Sequence, residues 1–342
     1  MVLLLKILKW LFICLASLFI VIITGGIIYQ EISESRDLAR FPAPGRLVDV
    51  DGRFMHIHCR GQGSPTVVLE LGIGSVSATW DEMHQRLAAV TRVCAYDRAG
   101  LGYSEPFDHP RRATDVANLL HELLQRAGIR DDLILVGWSA GGVYIREFHQ
   151  QFPEQVSAML FVDSSHEQQA NRMPQMPGSD SNSTPRIAKY LAPIGLIRMS
   201  GILDRRVDSS SASEELKPRL KALYNQSHAL ATVLKESDAF DLDIDASQPP
   251  APIGDLPLIV LTRGKPVELP EGSPPNTTLE LLQQERKARN ELQQELTALS
   301  NRGKQIIAEE SGHHIYLDQP ELLIESVTEL VSLAREQRAS QE

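Results

Sequence analysis

A mostly parallel β-sheet covered by helices on both faces, set behind one apolar N-terminal helix, is the fold class that this sequence predicts. Three observations predict it. Short β-type runs alternate with helical patterns from Arg46 onward. A stretch without charge, Trp10 to Tyr29, precedes them. One apolar strand, Leu133-Ile134-Leu135-Val136, runs straight into Gly137-Trp138-Ser139-Ala140-Gly141 and then into a helix.

Composition narrows the function classes. The 342 residues suit one large α/β domain with an insertion. With 42% hydrophobic and 23% charged residues, the chain has ordinary globular usage. A net charge of −10 and no Lys/Arg-dense stretch argue against a nucleic-acid partner. The acidic excess is a solvated surface that keeps the domain soluble.

The uncharged run is about twenty residues long, which as a helix spans roughly 30 Å, the thickness of a bilayer's hydrocarbon core. Lys6 and Lys9 precede it, while Glu31 and Glu34 follow. The positive-inside bias then leaves the N-terminus in the cytoplasm and carries the rest of the chain across the membrane. A cleaved signal peptide is the competing reading, with Thr24-Gly25-Gly26 as the cleavage site, although apolar character continues through Ile28. Both readings export the main domain.

The elements follow in order. Residues 1–30 form the anchor and 31–45 a polar linker ending in Pro and Gly. Arg46–Val50 and Arg53–Cys59 are strands around the Asp51-Gly52 turn. Thr66–Leu71, Thr91–Tyr96, Asp132–Gly137, Val156–Val162, Leu256–Leu261 and Lys304–Ala308 are further strands. Helical spacing marks Ala78–Val90, Ala113–Ala127, the segment after Ser139 to about Gln151, Thr278–Leu299 and Pro320–Gln337. The stretch 164–255 breaks the alternation, with helical patches near Arg186–Leu203 and Glu214–Ser237. Its place beside the end of a core strand favours a lid over a decorative excursion. The core is therefore expected at 46–163 and 256–338.

The chemistry centres on Gly137-Trp138-Ser139-Ala140-Gly141, a G-x-S-x-G elbow. Such a Ser sits on a strained strand-to-helix turn, where larger flanking residues would collide with the neighbouring strand and helix. Its Oγ then stands at a helix N-terminus, whose amide dipoles favour a developing oxyanion.

Three further segments join the elbow in chain order. Glu70-Leu71-Gly72-Ile73-Gly74 follows the third strand. Tyr96-Asp97-Arg98-Ala99-Gly100-Leu101-Gly102-Tyr103-Ser104 follows the fourth. Ser311-Gly312-His313-His314-Ile315-Tyr316-Leu317-Asp318-Gln319-Pro320-Glu321 follows the eighth. Together they resemble the α/β-hydrolase superfamily over about residues 46 to 337, matching its oxyanion loop, its D-x-R-G-x-G-x-S turn and its terminal G-H-x-x-x-x-[DE]-x-P motif. The resemblance implies an α/β-hydrolase fold with an eight-stranded sheet and a helical lid insertion, here preceded by one transmembrane helix.

It also implies roles. Ser139 is the expected nucleophile and His313 the base, preferred to His314 because His313 matches the family's Gly-His position. The amide of Ala140 is expected to form half the oxyanion hole and that of Ile73 the other half, with Gly74 the runner-up. Leu71 replaces the usual His before Gly72. The acid is less well marked, because Thr262-Arg263-Gly264-Lys265-Pro266-Val267-Glu268 holds no Asp where the family commonly has one. Asp163, at the end of the sixth strand as in some members, is preferred; Glu268 is the alternative, and an unmarked acid, a Ser–His dyad, or Asp163 as a mere turn residue stays open. In this fold the second strand lies antiparallel to the fourth, so Cys59 and Cys94 are expected near one another and export would allow a disulfide. The competing reading is two buried thiols.

No C-x-x-C pair, H-E-x-x-H helix or P-loop supports a cofactor or metal, so neither is expected. His56 and His58 share a strand face, but two such histidines without a third ligand read as ordinary residues. The expected function is hydrolysis of an ester or related acyl bond, in a small-molecule or lipid-like substrate, through an acyl-enzyme on Ser139. Ser at the elbow argues against the epoxide hydrolase and dehalogenase branches, which use Asp there. Met173, Met176 and Met199 in the lid hint at an apolar group on the substrate. The alternative is a membrane-tethered, non-catalytic binding protein on the same fold.

Overall fold

The computed structural model describes residues 1–107, 111–130, 132–177, 186–244, 249–270 and 272–340. Its contacts divide the chain into two units. One comprises Met1–Ala43 and Pro185–Ala231, the other Pro44–Thr184 and Thr232–Glu342.

The larger unit is built on eight strands: β1 (Arg46–Val50), β2 (Arg53–Arg60), β3 (Thr66–Glu70), β4 (Val93–Tyr96), β5 (Leu133–Trp138), β6 (Val156–Val162), β7 (Leu258–Arg263) and β8 (Gly303–Ala308). They form one sheet in the order β1-β2-β4-β3-β5-β6-β7-β8. β2 pairs antiparallel with β1 and with β4, and every other pair is parallel. β5 is buried at every residue, as a parallel strand covered on both faces must be. Its side chains alternate between two cores. Leu133 and Leu135 pack in one with Leu120, Ile145 and Phe148, while Ile134 and Val136 pack in the other with Trp80, Leu323 and Val327.

Those partners identify the covering helices. On one side are α3 (Ala113–Arg126) and α4 (Gly141–Gln151); on the other are α2 (Asp81–Leu87) and α13 (Pro320–Ala339). Buried residues at Val116, Ala117, Leu120, Leu123 and Leu124 give α3 an apolar stripe at helical spacing. The helix expected at Ala78–Val90 is shorter, a 3₁₀ turn at Ser77–Trp80 followed by α2. This unit also contains α5 (Gln169–Arg172), α11 (Leu279–Thr297) and α12 (Ile315–Asp318).

The smaller unit contains α1 (Val2–Arg40), α6 (Ala188–Leu191), α7 (Leu196–Ser200), α8 (Ile202–Asp208) and α9 (Lys217–Tyr224). α1 has 39 residues and is long and apolar enough to cross a membrane. The stretch 31–45, expected as a linker, is helical as far as Arg40. Local charge alone does not explain this; tertiary partners do. Arg198 Nη1 donates to Asp37 Oδ2 at 2.6 Å, Gln30 Nε2 donates to the Asn225 carbonyl at 2.7 Å, and the Ser227 amide donates to Glu34.

The segment expected as a lid, 164–255, is thus divided. Its middle groups with the N-terminal helix, and its flanks group with the sheet. α10 (Ala229–Asp243) begins in the first group and, from Thr232, belongs to the second.

Candidate active site

The carboxyl ends of β3, β5, β6, β7 and β8 lie along one edge of the sheet, because these neighbouring strands are all parallel. Open α/β sheets present their sites at such strand ends. Ser139 directly follows β5 with a φ of 57°. This left-handed conformation costs a non-glycine residue about 1–3 kcal/mol, so surrounding bonds must hold it. Its amide donates to the Val162 carbonyl at 3.2 Å, and its carbonyl accepts from the Ser165 amide at 2.9 Å. The flanking glycines are required sterically. A Cβ on Gly137 would stand 2.7 Å from both the Gly141 carbonyl oxygen and Ile145 Cδ1, and one on Gly141 would overlap the Glu70 carbonyl. α4 begins at Gly141, so its positive end faces the Ser139–Ala140 turn.

Asp163 follows β6, also at positive φ (42°), and is buried. Its loop is pinned on three sides. Ser164 Oγ donates to the Gly137 carbonyl at 2.6 Å, Gln293 Nε2 donates to the Ser164 carbonyl at 2.7 Å, and Arg146 Nη2 donates to the Ser165 carbonyl at 2.7 Å. His313 arrives on the loop after β8. The Gly312 amide donates to Asp318 Oδ2 at 2.9 Å and Ser311 Oγ donates to Gln319 Oε1 at 2.9 Å, so the residues of the terminal motif tie their own loop. Trp138 Nε1 donates to the His313 carbonyl at 2.9 Å, which brings this loop against the residue before Ser139.

His313 Nδ1 stands 2.5 Å from Asp163 Oδ2. His314 lies instead beside the rings of Trp138 and Tyr316. Glu268 is exposed.

Arg263, the last residue of β7, enters the same cluster. Its Nε donates to Asp163 Oδ2 at 2.6 Å, and its Nη2 stands 2.8 Å from His313 Nδ1. Burial raises the Asp163 carboxyl, but the His313 hydrogen bond and the Arg263 charge outweigh it and hold the group below the usual carboxylate range. His313 is lowered by burial, against the pull of Asp163, and the charges of Arg263 and Arg289 lower it further. One proton on Nδ1 serves one bond only. Protonated, Nδ1 donates to Asp163 and leaves Nε2 as an acceptor; unprotonated, it accepts from Arg263.

The loop after β3 is held by a buried charge cluster. Arg98 Nη1 donates to Glu70 Oε1 and to the Leu71 carbonyl, both at 2.7 Å, and its Nη2 donates to the Gly72 carbonyl at 2.7 Å. Glu236, on α10, accepts from Arg98 Nε at 2.7 Å and from the Gly74 amide at 2.6 Å. The Gly74 amide is therefore occupied. The amides of Ile73 and Ala140 donate to no protein acceptor among the described residues. Burial raises the Glu70 carboxyl despite Arg98 beside it.

Asp97 organises the turn after β4. Its carboxylate accepts from the Ser77 amide at 2.6 Å and the Tyr103 amide at 3.1 Å, and lies 2.8 Å from His56 Nδ1. His58 has two potential co-ligands after all, since donor atoms of His58, Asp81 and His84 lie within 4.8 Å of one another. Arg60, however, stands 2.9 Å from Asp81, so a cation there would meet a fixed positive charge, and His84 Nε2 bonds the Val93 carbonyl at 2.9 Å. Cys59 and Cys94, directly opposite in the β2–β4 register, are joined by a disulfide.

Residues 58–326 match the model of the alpha/beta hydrolase family. The chain belongs to that family. It is similar to an uncharacterized protein, YbdG, of Bacillus subtilis, at 28% identity over 48% of this chain and 51% of that protein, so the match spans about half the relative's length. An AB hydrolase superfamily protein of Gibberella zeae is 25% identical over 79% of this chain and 87% of its own length. Among solved structures, the epoxide hydrolase VrEH1 of Vigna radiata superposes with a TM-score of 0.62 at 15% identity, covering 84% of this chain and 97% of that one.

Sequence reasoning missed Arg263 and Glu236. Arg263 sits where a strand ends, a position that signals proximity to a site but not which side chain it meets. Glu236 lies in the insertion, where no motif marks it.

Proposed function

We propose that this hydrolase cleaves an ester or related acyl bond through an acyl-enzyme on Ser139. The observation that carries the reading is the Asp163–His313 contact at 2.5 Å beside a serine held at φ 57° on a strand-to-helix turn. In this reading Ser139 Oγ attacks the acyl carbon while His313 Nε2 takes its proton. Asp163 keeps the proton on Nδ1 and stabilises the imidazolium. The amides of Ala140 and Ile73 receive the oxyanion, one such donor being worth about 3 kcal/mol in the transition state. The protonated histidine then gives its proton to the leaving alcohol, and a water, activated by His313, releases the acid. Because the same fold also serves an epoxide hydrolase, the elbow residue rather than the fold selects acyl chemistry here.

Anchoring through α1 with the N-terminus cytoplasmic completes the proposal. The uncleaved form is favoured by Gly26, which packs on the Ile194 carbonyl within the small unit; cleavage at Thr24–Gly26 would cut the helix at that contact. A small-molecule or lipid-like ester is the proposed substrate.

One observation favours a second reading, a non-catalytic binding protein: Arg263 engages both Asp163 and His313 Nδ1 and competes for the arrangement that catalysis needs. The full chain in detergent micelles separates the two. Hydrolysis of p-nitrophenyl esters and labelling by a fluorophosphonate, both lost in Ser139→Ala, are the expected outcome. A wild type that neither turns over any ester nor takes up the probe overturns the hydrolase reading and leaves the binding protein.

A further inference from the structure

The small unit leaves large apolar side chains in the open. Ile187 is 61% exposed, Tyr190 66%, Leu196 41%, Met199 55% and Ile202 55%, all within or beside α6, α7 and α8. Isolated exposed apolar residues need no explanation, but five gathered along 16 residues of short helices do. Met199, expected to bear on substrate, is among them.

The place where the α6–α7 turn meets α1 points to what covers them. The turn between α6 and α7 packs on the end of the uncharged run. The Ile194 carbonyl occupies the space where a Gly26 Cβ would stand, and a Cβ on Gly195 would lie 2.9 Å from the Gly26 carbonyl oxygen and 3.0 Å from Tyr29 Cδ1. Gly26 and Tyr29 both belong to the stretch Trp10–Tyr29. At 1.5 Å per residue, Gly26 is about 5 Å inside the end of that stretch. A helix that crosses a bilayer with this run therefore carries the α6–α7 turn at the polar–apolar boundary. Beyond Gly26 the contacts become polar, with Gln30 on Asn225 about one turn on and Asp37 on Arg198 about three turns on, as they would beyond the hydrocarbon.

Charge agrees. Residues 186–231 contain eight Lys or Arg against four Asp or Glu, in a chain whose net charge is −10. A basic segment beside a membrane span is attracted to anionic headgroups.

We propose that α6–α8 form a membrane-docking face, whose Ile187, Tyr190, Leu196, Met199 and Ile202 side chains enter the headgroup–acyl boundary of the anionic bilayer crossed by α1. Such amphipathic faces lie in the membrane plane and bind by buried apolar area together with headgroup attraction. The small unit then holds the protein to the lipid at two kinds of contact, a span and a surface.

The test uses the full chain in nanodiscs of phosphatidylcholine and phosphatidylglycerol. Nitroxide labels are placed singly at Met199→Cys and Ile202→Cys in a Cys14→Ser background, since Cys59 and Cys94 are bridged. Phe19→Cys on α1 gives the lipid reference and Glu214→Cys the water reference. Relaxation by oxygen against a water-soluble nickel chelate is expected to place both labels about 5–10 Å below the headgroup surface. Labels as open to the chelate as the Glu214→Cys reference overturn the proposal. So do labels shielded from both reagents, which would mean that protein, such as a second copy of the chain, covers the face.

Discussion

The loops at the strand ends and the helices gathered on α1 are held by opposite means. Around Ser139 and Asp163 the backbone adopts positive φ, side chains are buried, and buried charges are bonded on several sides, as Arg98 is by Glu70, Glu236 and two carbonyls. In the small unit the helices packed on α1 are short, apolar side chains face outward, and partly exposed pairs such as Arg198–Asp37 supply the ties. The first arrangement fixes atoms relative to one another, which acyl chemistry needs. The second tolerates adjustment and suits a surface whose partner is fluid. On the proposed function, the difference separates residues that position chemistry from residues that place the molecule.

Five substitutions, and Glu268→Gln as a control, would sharpen or break that contrast. Ser139→Ala should reduce ester hydrolysis by about 10⁴-fold or more with the fold unchanged by circular dichroism; near-wild-type turnover would remove the strained serine from the chemistry. Asp163→Asn should cost about 10³–10⁴-fold in kcat, because a neutral amide neither holds the proton on Nδ1 nor stabilises the imidazolium. Glu268→Gln, on an exposed residue, should leave kcat/KM as it is, and the opposite pattern would move the acid to Glu268. Next in size is Glu236→Ala, which strips a buried partner from Arg98 and the acceptor from the Gly74 amide. Denaturant unfolding should show a loss of about 3 kcal/mol, the scale for removing one partner of a buried ion pair.

Smaller still is Arg263→Gln. Arg263 lowers His313, so its removal should raise the histidine's pKa, and the acid limb of kcat/KM should move to higher pH. A pH–rate profile with an unmoved acid limb would show that Arg263 does not tune the base. The least effect belongs to the small unit. Arg198→Met breaks a partly exposed pair with Asp37 and should cost under about 1 kcal/mol by thermal unfolding. A loss as large as that of Glu236→Ala would erase the contrast between the regions.

Much of the core was legible because its signals are local. Strand runs such as Leu133–Val136 are continuous and apolar, the Asp51-Gly52 turn marks a hairpin, and G-x-S-x-G is a constraint written in adjacent residues. α1 was legible as a span from its lack of charge, though not as a helix to Arg40. The polar residues Gln30, Glu34 and Asp37 gain their partners from 195 to 161 positions away, at Asn225, Ser227 and Arg198. The divided insertion was illegible for the same reason. Its short helices carry no strong periodicity of their own, so packing decides their allegiance.

By itself, the sequence determined the strand alternation, the membrane-length run, the elbow and the family motifs in their order. These depend on spacing along the chain, where hydrophobic period and steric demand at glycine are read directly. Only the tertiary structure decided which carboxylate meets His313, that Arg263 joins them, that Glu236 occupies the Gly74 amide, and which helices gather on α1. Each of those is a meeting of groups far apart in the chain, and it is the sheet order and the burial of charge that bring them within bonding distance.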